Sequence, residues 1–151
     1  MSEPFRLPFE LGDHAEFSKT VTETDIVLFA GITGDMNQVH LDEAYCAGTP
    51  LKHRIAHGAL TFSIGSAPET TLLNLKQPDF DRLGLTYVSA GADHVRFVKP
   101  VFIGDTLHAT YTIVNIDHEK MRTVGHGEVT NQHGEVVCVF EHMWRFFRSQ
   151  E

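Results

Sequence analysis

Seven residues, Gly34-Asp35-Met36-Asn37-Gln38-Val39-His40, bring a carboxylate, an amide and an imidazole into one short polar stretch. An Asp and a His held close but not adjacent can share one water and divide the proton transfers to and from it. No other stretch combines ionisable groups so tightly with backbone punctuation. A Gly-Asp pair after a helix also serves as a plain stop with a turn carboxylate, and a nearby His as a cap. Asn37 suits a local hydrogen bond that fixes the loop better than it suits direct chemistry.

A second group, Ile55-Ala56-His57-Gly58, opens a helix-like run. A glycine at a helix N-terminus offers an N–H with no side chain in the way, and the helix dipole there favours negative charge, so Gly58 can serve as an oxyanion donor. Packing at a helix start is the plainer role for His57-Gly58. Ser63 lies in the same run, where a hydroxyl usually bonds its own helix. Arg54 closes a small basic cluster with Lys52 and His53 that can touch a phosphate or an acidic acyl group, though such clusters are mostly solvated. The remaining histidines fall on strand patterns (His108, His142) or on surface and loop stretches, without metal-ligand spacing, and no metal is expected.

These groups need elements to hold them. Thr22-Glu23-Thr24-Asp25 has the form of a capping box, and Ile26, Val27, Phe29 and Ala30 then share one helical face, with a stop near Gly31 or Gly34. Asp35 to Arg54 reads as loop, with a helical turn over 42–47. Residues 55–67 are small and apolar all round, which predicts a helix buried on most sides. Residues 68–83 read as a variable connection. His14 to Thr20 fits a short strand. Leu107, Ala109, Tyr111 and Ile113 alternate with polar residues at period two. Val124 to Thr130 and Val136 to Phe147 follow, joined through a hairpin turn at Asn131-Gln132-His133-Gly134. Val136 to Phe140, apolar on both faces, predicts an interior strand. Helices first and antiparallel strands after them imply an α+β domain with its sheet packed on an apolar helix.

The 151 residues fit one domain, residues 1–151, with no repeat or linker to split it. A net charge of −8 argues against a general nucleic-acid or anionic-membrane binder, since both need a basic field. Cys46 and Cys138 stand in no metal or redox spacing and read as idle thiols. No signal-peptide region and no apolar run of spanning length is seen, so a cytoplasmic protein is expected.

The order Gly34-Asp35-x-Asn37-x-x-His40, Ile55-Ala56-His57-Gly58, then Phe97-x-x-Pro100-Val101-x-x-Gly104-Asp105 resembles the MaoC-like branch of the hot-dog fold, which includes (R)-specific enoyl-CoA hydratases. The resemblance covers roughly residues 10 to 147. It implies an antiparallel sheet wrapped around one central helix, here 57 to about 67. It also implies Asp35 and His40 as the catalytic pair, Gly58 as backbone donor and Ser63 as a pocket hydroxyl. Asn37, His57 and Arg54 are the further candidates for substrate contact. Gln38 departs from the family's usual Pro, and the 68–92 segment looks long. The implied reaction is reversible hydration of a 2-enoyl thioester to a 3-hydroxyacyl thioester, in fatty-acid metabolism, without a cofactor. Acyl-CoA or an acyl carrier protein would carry the substrate, and a homodimer or dimer of dimers is expected. A hot-dog thioesterase is the alternative, disfavoured because residues 57–67 hold no Asp or Glu. A non-catalytic acyl-CoA-binding or assembly subunit is another, expected to lack Asp35 or His40.

Overall fold

In the computed structural model, which describes residues 5–149, the chain runs β1 (His14–Thr20), α1 (Glu23–Thr33), α2 (Gln38–Leu41), α3 (Glu43–Ala47), α4 (Gly58–Gly65), α5 (Ala67–Leu75), α6 (Gln77–Leu83), β2 (Leu85–Phe97), β3 (Thr106–Asp117), β4 (Arg122–Thr130) and β5 (Val136–Arg148). The strands form one antiparallel sheet in the order β1-β3-β4-β5-β2. The alternation read in β3 is real: Leu107, Ala109, Tyr111 and Ile113 are all buried on the helix-facing side. β5 pairs with β4 and β2 and is therefore interior, as its two-sided apolarity predicts. The hairpin ahead of it closes with Asn131 N–H donating to the Glu135 carbonyl at 3.0 Å and Gly134 at φ 72°.

The sheet curves because α4 must fit inside it. α4 buries Leu60, Thr61, Ile64 and Gly65 against β3, β4 and β5. A Cβ on Gly127 would sit 2.1 Å from the Phe140 ring, so only glycine lets that ring lie flat across β4. This is the sheet-around-a-helix arrangement that the hot-dog resemblance implies.

Four expectations need correction. The central helix ends at Gly65, not 67, and residues 68–83 are not a loose connection but α5 and α6. Both prolines sit in the first turn of a helix, where a missing N–H is harmless. Leu72, Leu73 and Phe80 then bury against the core, Phe80 beside Phe9 and Phe146. The expected long loop over 68–92 is in the same way helix followed by strand β2. Val27 faces outward, 51% exposed, because α1 lies at the periphery and buries only Ile26 and Ala30. Finally, the stretch after Asp35 holds a short helix that was not expected, α2, which carries His40, buried, while α3 is the helical turn expected over 42–47.

Candidate active site

Two anchored segments bring the reactive groups together. The first is the end of α1. Its capping box forms as expected, with Asp25 N–H on Thr22 Oγ1 and Thr22 N–H on Asp25 Oδ2. It stops at Gly34, left-handed at φ 78°, whose N–H closes on the Ala30 carbonyl. That reversal delivers Asp35 into a tight polar turn. Asp35 Oδ1 accepts from Asn37 N–H at 3.3 Å, and Asn37 Oδ1 caps α2 by accepting from Val39 N–H at 3.2 Å. Asn37 therefore fixes the turn, as its residue type suggested. Gln38 is the first residue of α2, a place where proline is favoured; Asn37's cap holds the turn without it.

The second segment is Ile55-Ala56. Ile55 N–H donates to the Val39 carbonyl at 3.0 Å, and Ala56 N–H to the Val101 carbonyl at 2.7 Å. It is thus strapped between α2 and the turn that follows β2. Its Ile55 carbonyl accepts from His40 Nδ1 at 2.8 Å. A carbonyl only accepts, so Nδ1 carries the proton and Nε2 of the neutral ring presents a lone pair. That Nε2 faces Asp35 Oδ2 at 3.9 Å. The gap is too long for a direct hydrogen bond and short enough for one water to touch both groups. His40 is nearly buried while the Asp35 side chain is 51% exposed, so one partner is fixed and the other reachable.

His57 lies beneath them, 1% exposed. Its ring stacks on His40 with centroids 3.8 Å apart, and its Nε2 donates to the Asp35 carbonyl at 3.1 Å. It touches both residues of the pair without facing the opening, so its role is to position them. Among the described residues its Nδ1 is buried without a partner. Asp35, His40 and His57 offer ligand atoms within 4.8 Å of one another, a spacing that suits a cation. Two stacked rings, however, hold their in-plane lone pairs side by side rather than converging on one point.

Gly58 is the first residue of α4 and follows His57 directly. It lines a cavity of about 340 Å³ together with His40, Thr61, Phe97, Pro100 and Val137. His40 and the start of α4 therefore open onto one apolar space. A Cβ on Gly58 would lie 2.6 Å from the Phe97 ring, so the glycine keeps the backbone open beneath that ring. Phe97 and Thr61 were not singled out as lining residues from sequence. The Phe97-x-x-Pro100 spacing was the available signal, because the turn it makes returns the chain to Ile55.

Two candidates are placed elsewhere. Ser63 donates to the Ala59 carbonyl on its own helix at 2.8 Å and lies on the exposed side, outside this cavity. Arg54 is committed: its guanidinium grips Glu23 at 2.9 and 2.5 Å and stands 3.6 Å from Glu43. It ties α1 to the segment carrying Ile55 rather than offering its charge to a ligand. Both cysteines are buried, and burial pushes the Cys138 thiol up to about 11.

Residues 9–137 match the family model described as "MaoC like domain". The chain is 39% identical over 109 residues to the (R)-specific enoyl-CoA hydratase of Rhodospirillum rubrum, covering 72% of this chain and 69% of that protein. It is 34% identical to the 3-hydroxybutyryl-CoA dehydratase of Methylorubrum extorquens, covering 75% and 66%. The matched stretch thus spans about two thirds of these relatives. Among solved structures, the (R)-hydratase from A. caviae superposes with a TM-score of 0.77 at 26% identity, covering 93% of this chain and 98% of that one.

Proposed function

The chain belongs to the MaoC-like domain family, and from that premise we propose that it adds water reversibly to a 2-enoyl thioester, giving a 3-hydroxyacyl thioester. The observation that carries this reading is the lone-pair nitrogen of His40 facing the Asp35 carboxylate at 3.9 Å, beside the free start of α4. A water held between the two gives up a proton as its oxygen attacks the β carbon. The pair returns a proton to the α carbon on the same face. Negative charge develops meanwhile on the thioester oxygen. Gly58 N–H, among the first N–H groups of α4 and so without a partner inside the helix, meets that charge. The apolar cavity beneath Phe97 takes the acyl group.

The thioesterase alternative wants an accessible carboxylate at the central helix. The nearest acid in sequence, Glu69 on α5, is 1% exposed and held by His142 and Trp144. A binding subunit without chemistry has no use for the Asp35–His40 arrangement.

The proposed unit is one cytoplasmic hot-dog domain working as a homodimer. β2 is a 13-residue edge strand, mostly exposed, with its outer hydrogen-bonding groups unused by the sheet. Pairing it with β2 of a second copy hides both edges. A monomeric mass by light scattering would exclude this. The activity is tested by spectrophotometric hydration of a panel of enoyl-CoAs with chiral analysis of the product. Loss of the conjugated thioester absorbance and one enantiomer of the 3-hydroxyacyl product are expected; no turnover across the panel would overturn the reading.

A further inference from the structure

We propose that Phe97 is a specificity-determining residue of this site: its ring covers the α carbon of the bound acyl group and selects against thioesters branched there. This rests on the hydratase reading above, which places the thioester oxygen at Gly58 N–H. A Cβ on Gly58 would lie 2.6 Å from ring carbons Cδ2 and Cε2 of Phe97 and 2.9 Å from Cγ. Unbonded carbons do not approach that closely. The three atoms nearest to that Cβ position all belong to this ring. The nitrogen that holds the oxygen is bonded to the same Cα as the missing Cβ. An oxyanion bond of about 2.9 Å then puts the carbonyl carbon, and the α carbon attached to it, beside the same ring. A ring that leaves no room for a methyl group on the protein leaves none for a methyl group on the substrate.

The ring keeps its place because its backbone is tied on both sides. Phe97 is the last residue of β2 and pairs with Cys138 on β5. Val98 N–H donates to the Val137 carbonyl at 2.8 Å, and the Val101 carbonyl then accepts from Ala56 N–H at 2.7 Å. A side chain on a fixed strand end can change rotamer but cannot retreat. The ring is 56% exposed, so a branched acyl group can turn it outward at a cost rather than being blocked outright. The discrimination is therefore graded. It belongs at the low end of what one carbon is worth in an apolar pocket, about tenfold.

The rest of the cavity does not compete for this role. Ala56, Thr61, Val101 and Val137 are core residues, none more than 5% exposed, and form walls that do not yield. Its polar groups are occupied. Thr61 Oγ1 donates to the His57 carbonyl at 3.3 Å, and Lys99 Nζ donates to Glu135 at 2.5 Å. Selection here is by shape rather than by hydrogen bonding. The class accepted is the enoyl thioester that carries hydrogen, not carbon, on its α position. An α-methyl group pushes either the ring outward or the thioester oxygen off Gly58, and both costs fall on the branched substrate alone.

Two acyl groups built from the same atoms test this on the intact protein. Butyryl-CoA and isobutyryl-CoA differ only in whether the last carbon extends the chain or branches it at the α carbon. Neither has a double bond to hydrate, so calorimetry reads binding without turnover. Wild type should bind butyryl-CoA about tenfold more tightly than isobutyryl-CoA. In Phe97→Ala the two should bind within a few-fold of each other, and in Phe97→Tyr, which keeps the ring, the wild-type ratio should persist. Equal binding by wild type, which needs no variant to fold, or a tenfold ratio that survives in Phe97→Ala, would overturn the proposal. Turnover gives a second reading. Crotonyl-CoA and 2-methylcrotonyl-CoA differ in intrinsic reactivity, so the quantity to follow is the change in their kcat/KM ratio between wild type and Phe97→Ala. That ratio should move about tenfold toward the branched substrate. Straight-chain 2-hexenoyl-CoA controls for size: an equal gain for it in Phe97→Ala would show that the ring limits volume only, and would remove it from the α carbon. Turnover of straight chains with no effect of Phe97 on branching would sink this inference and leave the hydratase reading standing. Hydration of no thioester, with a butyryl-to-isobutyryl ratio that still depends on Phe97, would sink the hydratase reading and leave the ring's part in acyl recognition.

Discussion

Two of the histidine–carboxylate pairs, one at the end of α1 and one inside the sheet, have opposite construction. At the end of α1, His40 and Asp35 stand 3.9 Å apart, one ring nitrogen is uncommitted and the carboxylate is open to solvent. On the inner face of β5, His142 donates through Nδ1 to Glu69 in direct contact. Its Nε2 is held by Ser89 Oγ at 2.7 Å, and Trp144 Nε1 donates to the same carboxylate oxygen at 2.6 Å. His142 is thus engaged at both nitrogens, whereas His40 is engaged at one. Glu69 Oε1 is left without a partner among the described residues, yet at 1% exposure it is sealed from any substrate, so this pair is closed by burial as much as by bonding. Chemistry needs the open pair and stability the closed one. Residue type alone does not separate them; burial and bonding do.

Removing the closed pair should have the largest effect on folding. Glu69→Ala leaves the N–H groups of His142 and Trp144 without an acceptor inside the core, at a cost of about 3–5 kcal/mol. Denaturant titration should show that loss. The protein that remains folded should hydrate substrate at the normal rate, because neither group lines the acyl cavity. A stable variant with impaired turnover would erase the contrast between the two pairs.

Asp35→Asn is the matching test on the open pair. The side chain is half exposed and makes one weak contact to Asn37, so the melting temperature should move little. kcat should fall by about 10²-fold or more if the carboxylate handles a proton. Turnover within a few-fold of wild type would remove Asp35 from the reaction. His40→Ala should lose comparable activity, but with a stability cost of roughly 1–3 kcal/mol, since it strips a buried hydrogen bond and the stack on His57.

Gly58→Val probes the shared edge of site and core. The new side chain would meet the Phe97 ring at 2.6 Å, but Phe97 is 56% exposed and can swing aside. Stability should therefore fall less than in Glu69→Ala. A displaced oxyanion donor should lower kcat by up to about 10²-fold. Melting temperature and kcat on one preparation separate the outcomes: a badly destabilised variant whose folded fraction turns over normally would make Gly58 a packing residue only.

The contrast also explains what could be read in advance. Period-two alternation exposed β3, because it buries one face toward α4 and so writes its geometry into every second residue, while apolarity on both faces marked β5 as interior. The capping box and Gly34 marked both ends of α1, since caps are local in sequence. Residues 68–83 were misread because the two prolines and the acids resemble a loop; their helical character comes from Leu72, Leu73 and Phe80 meeting a core assembled from distant strands. The Glu69–His142 pair spans 73 positions and no local pattern announces it. The short spacing of Asp35 and His40 was visible; the strap at Ile55 that fixes which nitrogen of His40 is free was not.

The smallest effect concerns how the open pair is held from outside. Arg54 precedes Ile55, whose carbonyl fixes His40, and the Arg54 guanidinium clamps Glu23 at the start of α1. The hydrogen bond from Arg54 holds the Glu23 carboxyl below its ordinary value. A depressed carboxylate stabilises the fold above its unfolded value, about 4.3, and that contribution is lost as pH falls through the folded value. The pair is largely solvent-exposed on the Glu23 side, so its worth is at most about 1 kcal/mol. Glu23→Gln should accordingly melt slightly below wild type at pH 7. The two melting curves should converge as pH falls through the lowered folded value of Glu23, where the wild-type carboxylate itself loses its charge, and should also draw together at high salt. Turnover at pH 7 should drop by no more than a few-fold, because Glu43 and the Val39 carbonyl still hold the strap. A gap in melting temperature that widened toward low pH would reverse the sign and show that the Glu23–Arg54 clamp is not what steadies this end of the site.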